Sequence, residues 1–130
     1  MSYFENVKSI VEELGYKPEN EDLKEELFMI SDEENGINSL MVDCEDPILV
    51  LEMLIMPYSD NVDAVKLLQM NRNMVHGAFA VDEEKENIIW RDTLQLENLD
   101  SNELLGSINA LSLAMSENAH ELINMSKGEN

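Results

Sequence analysis

The sequence predicts an α+β fold in which three helices lie on one side of an antiparallel, five-stranded sheet, in the order α-β-β-β-α-β-β-α. Two observations lead to this prediction. Three segments carry apolar residues every three or four positions, whereas shorter apolar segments have the alternation or continuity of strands. Short turns join consecutive strands, which favours antiparallel pairing. The length of 130 residues suits one domain spanning residues 1–130.

The first helix is predicted to begin at Tyr3 and to stop at Gly15, because the apolar residues between them have helical spacing. The following stretch, YKPENEDLKEE, contains Pro18 and no apolar period, so it is predicted to be a loop. Two strands, ELFMIS and INSLMVDC, are predicted next. They are joined by the turn DEENG, in which Gly36 supplies a backbone conformation that other residues disfavour.

The third strand, within PILVLEMLIMPYS at residues 47–59, is almost entirely apolar. It is too short to cross a membrane, which takes about 20 apolar residues, and Glu52 interrupts it. Because side chains alternate along a strand, one wholly apolar face should pack on the helices. That face carries Leu49, Leu51, Met53 and Ile55.

The second face of this strand is the main indication of function, because it surrounds Glu52 with large apolar side chains. An exposed patch of this kind usually marks an interaction surface. We therefore predict a surface that binds a partner protein, formed by Ile48, Val50, Leu54 and Met56. The alternative is that loops or the middle helix fold back over this face.

The middle helix and a hairpin follow. Ser59 or Asp60 is predicted to cap the helix, which runs through VDAVKLLQMNR and ends near Asn73. The segments HGAFAVD and NIIWRDTLQL are predicted to pair across the charged tip DEEKE. Arg91 should lie on a strand face where a neighbouring acidic side chain can pair with it.

The last helix has the best-defined start in the sequence. Asp100 and Glu103 have the spacing of a reciprocal cap, in which each side chain accepts from a free backbone amide. Leu99 is placed to contact Leu104 across the cap, and the apolar period continues to Leu122.

Composition limits the partners. The chain has 28 acidic and 8 basic residues, a formal net charge of -20, so it should repel phosphate backbones and bind no nucleic acid. Such a surface favours basic partners, although a solvated acidic surface without a partner is equally common. Cys44 is the only cysteine, and the first residues resemble no secretory signal, so we expect a cytoplasmic protein that does not bind membranes.

No catalytic, metal or cofactor site is predicted. His76 and His120 are isolated from any recognisable nucleophile. The acidic residues form no calcium-loop pattern, and the five glycines form no phosphate-binding loop. We therefore expect a protein without enzymatic activity.

The segment LLQMNRNMVHGAFAVDEEKENIIWRDTLQLENLDSNELLGSINAL resembles type III secretion chaperones of the Tir-chaperone class and the related YbjN-like bacterial proteins. The likeness includes a helix that ends in the segment Asn71 to Asn73 and a short strand with Gly77, Phe79 and Asp82. It also includes the start of a long helix between Leu96 and Leu104.

The resemblance implies a small acidic homodimer that binds an extended segment of a client protein on apolar patches of its sheet and first helix. It also implies dimer contacts through the middle helix and neighbouring strands, at Val65, Leu68 and Trp90. A Trp beside apolar strand residues is usually a core residue, and contact with a second subunit is the alternative. Two functions stay open: a chaperone or adaptor that shields an apolar segment of its partner, and a YbjN-like regulatory or stress-response protein whose own dimer covers the apolar face.

Overall fold

The structure is a computed structural model that describes residues 2–128, and within this range it contains three α-helices and a six-stranded sheet. Every pair of neighbouring strands is antiparallel, and the strands lie in the order β1-β2-β3-β4-β6-β5. The elements are α1 (Tyr3–Glu13), β1 (Glu19–Asp22), β2 (Leu27–Asp32), β3 (Ile37–Glu45), β4 (Ile48–Pro57), α2 (Ala64–Arg72), β5 (Ala78–Val81), β6 (Asn87–Gln95) and α3 (Ser101–Lys127). The predicted α+β class is confirmed.

The number of strands was predicted wrongly, because the sheet has six strands and not five. The additional strand, β1, lies in the stretch predicted to be a loop, and all four of its residues are exposed. It lies at the edge of the sheet and pairs with β2, where Glu19 is opposite Met29. A strand that buries neither face needs no apolar alternation, so the sequence pattern did not reveal it.

The core lies between one face of the sheet and the helices. Phe4 of α1 packs near Phe28 of β2, with their ring centroids 6.0 Å apart. Towards the other edge of the sheet, Ser107 of α3 donates a 2.6 Å hydrogen bond to Asp92 of β6. The buried strand residues include Phe28, Ile30, Leu40, Val42, Leu49, Leu51, Met53, Ile88 and Trp90. This set confirms the predicted core face of the third strand as far as Met53.

Two contacts hold the edge strand β5 in place. The side chain of Asn71, in the last turn of α2, accepts a 2.7 Å hydrogen bond from the Phe79 amide and donates a 3.1 Å bond to the Phe79 carbonyl. Gly77, with a φ of 75°, packs directly against the indole of Trp90, so any side chain at this position would overlap that ring. The Asn-containing segment and the glycine therefore position β5 on β6.

The helix caps agree with the prediction at α3 and differ at α2. The Asp100 carboxylate accepts a 2.8 Å hydrogen bond from the Glu103 amide, which confirms the predicted start of α3. The return bond to the Glu103 side chain is absent among the described residues, so the cap is not reciprocal. At α2 the cap is Asp63, which accepts from the Lys66 amide at 3.1 Å, and not Ser59 or Asp60. The helix begins later than predicted because the chain first turns through residues 58–63 after β4.

Asp100→Ala should lower the free energy of unfolding by about 1 kcal/mol, because an amide at the start of α3 loses its acceptor. Denaturant unfolding followed by circular dichroism measures this change. The matched control is Asp60→Ala, which removes the same charge from an exposed residue that caps no helix and should leave stability nearly unchanged. Equal unfolding curves for the two variants would contradict the assigned cap.

Candidate functional site

The side of the sheet opposite the helices presents a mixed apolar and charged surface, which we call the open face. Its residues alternate with those of the core along each strand, and cross-strand pairing brings them side by side. The open face comprises Leu27, Met29, Met41, Asp43, Glu45, Ile48, Val50, Glu52, Leu54, Ala80, Ile89, Arg91 and Thr93. Strand pairing thus joins residues of β2, β3, β4, β6 and the edge strand β5 into one continuous surface.

An ion pair lies on this face between β4 and β6. Glu52 and Arg91 are directly opposite each other in the strand register, and Arg91 Nε donates to Glu52 Oε1 at 2.9 Å. The expectation that Arg91 has an acidic neighbour is therefore confirmed. The pair neutralises Glu52, the one carboxylate of β4. The other β4 side chains on this face, Ile48, Val50 and Leu54, are apolar.

Three of the four residues predicted to bind a partner lie on the open face. Leu54 is 60% exposed, an unusually large fraction for a leucine in an interior strand, and it is paired with Ile89 of β6. Ile48 is half-buried. Val50 is buried although no helix lies over it, because Asp43 and Thr93 flank it on the two neighbouring strands.

The fourth predicted residue, Met56, is buried on the helix side of the sheet and does not lie on the open face. Leu54 is opposite Ile89 while Met56 is opposite Ile88, so Ile55 is an extra residue in a β-bulge. The bulge shifts the alternation by one position, which turns Met56 towards the helices and leaves Ile55 only partly buried. Strict alternation along the strand was the wrong assumption here.

Asp43 is the residue of this face that sequence reasoning missed. It lies opposite Val50 and is 9% exposed, and its Oδ1 has no hydrogen-bond partner among the described residues. Burial raises the pKa of Asp43 to about 6, and the neighbouring carboxylates of Glu45 and Glu25 add to the shift. The sequence offered one signal, which is the position of Asp43 between two core residues, Val42 and Cys44. Because side chains alternate along a strand, this position puts the carboxylate on the same face of β3 as Met41.

The predicted dimer residues separate into two groups. Val65 and Leu68 are 65% and 67% exposed on the outer side of α2, whereas Leu67 and Met70 on its inner side are buried. Trp90 has no exposed surface and belongs to the core, so it was wrongly predicted to contact a second subunit. Its place opposite Phe79 and Met53, on the helix-covered face, explains the burial.

A second apolar surface lies away from the open face. A groove of about 810 Å³ runs between α3 and the turn that joins β2 to β3. Its apolar lining includes Ile55 and Met56 from β4, together with Met115, Leu122 and Ile123 from α3. Glu33 and Glu34 also line it. Sequence reasoning did not identify this groove, because it depends on how α3 is placed beside the turn.

Among residues 2–128, no three His, Cys, Asp or Glu side chains are grouped so that they could hold a metal ion. Burial raises the pKa of the Cys44 thiol to about 12, so it stays protonated and is a poor nucleophile at neutral pH. His76 and His120 are both exposed. None of the helices in this range has the length and apolar character needed to cross a membrane.

Several solved structures share this fold. SchA in the HopA1-SchA chaperone-effector complex superimposes with a TM-score of 0.67 at 16% identity, over 88% of this chain and 91% of that one. The YbjN protein of E. coli has a TM-score of 0.70 at 14% identity, over 91% and 92%. The Yersinia pestis type III secretion chaperone SycH, solved with a fragment of YscM2, has a TM-score of 0.58 at 13% identity, over 96% and 100%.

The sequence itself settles the family. No curated protein matches the chain significantly, but the CesT_Tir_1 family model matches residues 1–128, nearly the whole sequence. The resemblance predicted from the segment between α2 and α3 is therefore confirmed over a longer range. The chain belongs to the CesT_Tir_1 family of type III secretion chaperones.

Proposed function

We propose that this chain is a non-enzymatic, cytoplasmic binding protein that forms a homodimer and shields an apolar segment of another protein on its open face. The observation that carries the proposal is the position of Leu54, which is largely exposed on an interior strand. Ile89 lies directly opposite it. A partner that covers this pair removes apolar surface from water, at about 25 cal/mol per Å².

The sheet gives this surface a fixed shape. β4 is paired on both sides, with β3 and with β6, so its backbone is held by two ladders of hydrogen bonds. Below it, Leu51 and Met53 are fully or almost fully buried against the helices. A binding surface on such a strand needs little ordering when a partner arrives, which favours affinity.

The family and its structures support a protein as the partner. SchA was solved as part of a chaperone-effector complex, and SycH was solved with a fragment of YscM2. At 16% and 13% identity these two structures share the fold with our chain and do not identify its partner. We therefore assign the class of binding function by family membership and propose the surface from its geometry.

The alternative function is that of a YbjN-like regulatory or stress-response protein, and the TM-score of 0.70 with E. coli YbjN is the observation that favours it. In that case the open face is covered permanently within the dimer, and regulation depends on another protein contact. The two functions differ in whether the open face is free to bind in the isolated dimer.

Two substitutions on opposite faces of β4 test the binding surface. Leu54→Glu should fold normally and keep the oligomeric state, because the side chain is already exposed, but should abolish binding of peptides selected on the wild-type chain. Leu51→Glu should unfold the protein, because it buries a charge under the helices. Circular dichroism, light scattering and peptide binding by fluorescence anisotropy measure the three properties.

The paired variants also separate the alternatives. A Leu54→Glu variant that folds but becomes monomeric would assign the open face to the dimer, in agreement with the regulatory function. Unfolding of both variants would show that the second face of β4 is covered within the chain itself.

The dimer contact is tested at the exposed side of α2. Leu68→Asp should leave the fold intact and weaken the dimer roughly 100-fold or more, because an unpaired carboxylate buried in an interface costs about 3 to 5 kcal/mol. Light scattering at micromolar concentration should fall from twice the chain mass of 14.8 kDa to that mass. The control is Leu23→Asp, an equally exposed leucine in the turn between β1 and β2, which should stay dimeric. A wild-type protein that is already monomeric would refute the dimer.

A further inference from the structure

We propose that Asp43 is the binding site for one basic side chain, Arg or Lys, of the partner segment that lies on the open face. This inference rests on the proposed function and narrows it, because it states which residue type the partner must carry besides apolar ones. It is based on the burial of Asp43, the absence of a partner for Oδ1 among the described residues, and the charges around it.

Asp43 lies within the open face and not at its rim. On β3 it is opposite Val50 of the interior strand β4 on one side and Leu27 of β2 on the other. These apolar neighbours leave the residue only 9% exposed, so water solvates the carboxylate poorly. A carboxylate in this position is destabilising when ionised unless a donor or a cation pairs with it.

No cation reaches Asp43 from the part of the chain that the structure describes. The charged groups that face it are Glu45 on the same strand, Glu25 in the turn before β2, and Glu52 on β4, and all are acidic. Arg91, the basic residue of the open face, is bonded to Glu52 at 2.9 Å. The local charge among the described residues is therefore negative. Glu45 is within hydrogen-bond reach of Asp43, but the two carboxyl groups can pair only when one of them is protonated, so a cation from a partner would stabilise the ionised form.

The same charges disfavour a second copy of this chain as the occupant. If two open faces met, each would bring its own Asp43, Glu45 and Glu52 to the contact, with Arg91 already paired. Like charges placed together in this way cost several kcal/mol. A partner with the opposite charge gains from the same field, because the whole chain has a net charge of -20.

The strand register also gives a spacing. Asp43 is opposite Val50, and Leu54 is four residues further along β4. At about 3.3 Å per residue, these sites are roughly 13 Å apart along the strand. An extended segment laid along the strands would therefore carry its basic residue about four positions from the apolar residue that contacts Leu54.

The first experiment selects peptides from a random 12-residue phage library on the immobilised wild-type chain and, in parallel, on the Asp43→Asn and Leu54→Glu variants. We expect wild-type peptides to combine apolar residues with an Arg or Lys about four positions away. Selection on Asp43→Asn should lose the basic residue and keep the apolar ones. Selection on Leu54→Glu should lose the peptides altogether.

The second experiment measures affinity with one selected peptide that contains no His, Asp or Glu. By calorimetry at pH 7.5, Asp43→Asn should weaken binding roughly tenfold, which corresponds to one charge-assisted hydrogen bond. The control Asp60→Asn, the same change at an exposed position, should have almost no effect. Wild-type affinity should fall between pH 7.5 and pH 5, because Asp43, with its pKa of about 6, becomes protonated and loses its charge. The Asp43→Asn variant should lack this dependence.

The outcomes distinguish the two proposals. If no peptide is enriched, or if Leu54→Glu selects the same peptides as the wild type, the open face is not a binding surface and both proposals fail. If enrichment depends on Leu54 but the peptides have no basic residue, or bind Asp43→Asn equally well, the binding surface stands and the role of Asp43 is refuted. Equal melting temperatures of the wild type and Asp43→Asn, or a higher one for the variant, would show that lost binding does not reflect unfolding.

Discussion

The interior position of β4 is the constraint on which the rest of the structure depends. The strand is paired with β3 on one side and β6 on the other, and Leu49, Leu51 and Met53 must be covered on one face. The helices provide this cover, and the connection through α2 and β5 returns the chain so that β6 can lie beside β4. Because all three helices pack on the core side of the sheet, the opposite face of β4 is flanked only by its neighbouring strands, β3 and β6. The fold thus produces a rigid surface that other proteins can reach.

Most of the fold could be predicted because its elements bury one face, and burial leaves a period in the sequence. The helices, five strands and the Asp100 cap all follow from apolar spacing or from a local hydrogen bond. β1 could not be predicted in this way, because ENED buries nothing and exists only through pairing with β2. The start of α2 was misplaced for a related reason: three residues that can cap a helix, Ser59, Asp60 and Asp63, precede it, and tertiary structure decides between them.

The site was predicted less completely than the fold, and each error concerns contacts between distant segments. A bulge at Ile55 reverses the side on which Met56 lies, and no local signal marks that inserted residue. Trp90 was open to two interpretations until its register opposite Met53 placed it in the core. Asp43 became informative only once its neighbours on β2 and β4 were known. The position of Leu54 on the second face of β4 followed from strand alternation, which the register keeps without interruption up to this residue, and its role in binding stays a prediction.

The two edges of the sheet have a consequence for the behaviour of the protein at high concentration. Exposed strand edges are templates on which further strands assemble, and natural sheets block them with charge or with side chains. At one edge, the outer strand β1 is short and mostly acidic, so it repels a second copy of itself. At the other edge, the side chain of Asn71 is hydrogen-bonded to the backbone amide and carbonyl of Phe79 on β5, so these groups are not free to pair with a further strand. Both edges of the sheet therefore carry features that disfavour pairing with a further strand. The exposed apolar side chain of Leu54, by contrast, lies on an interior strand, away from those edges.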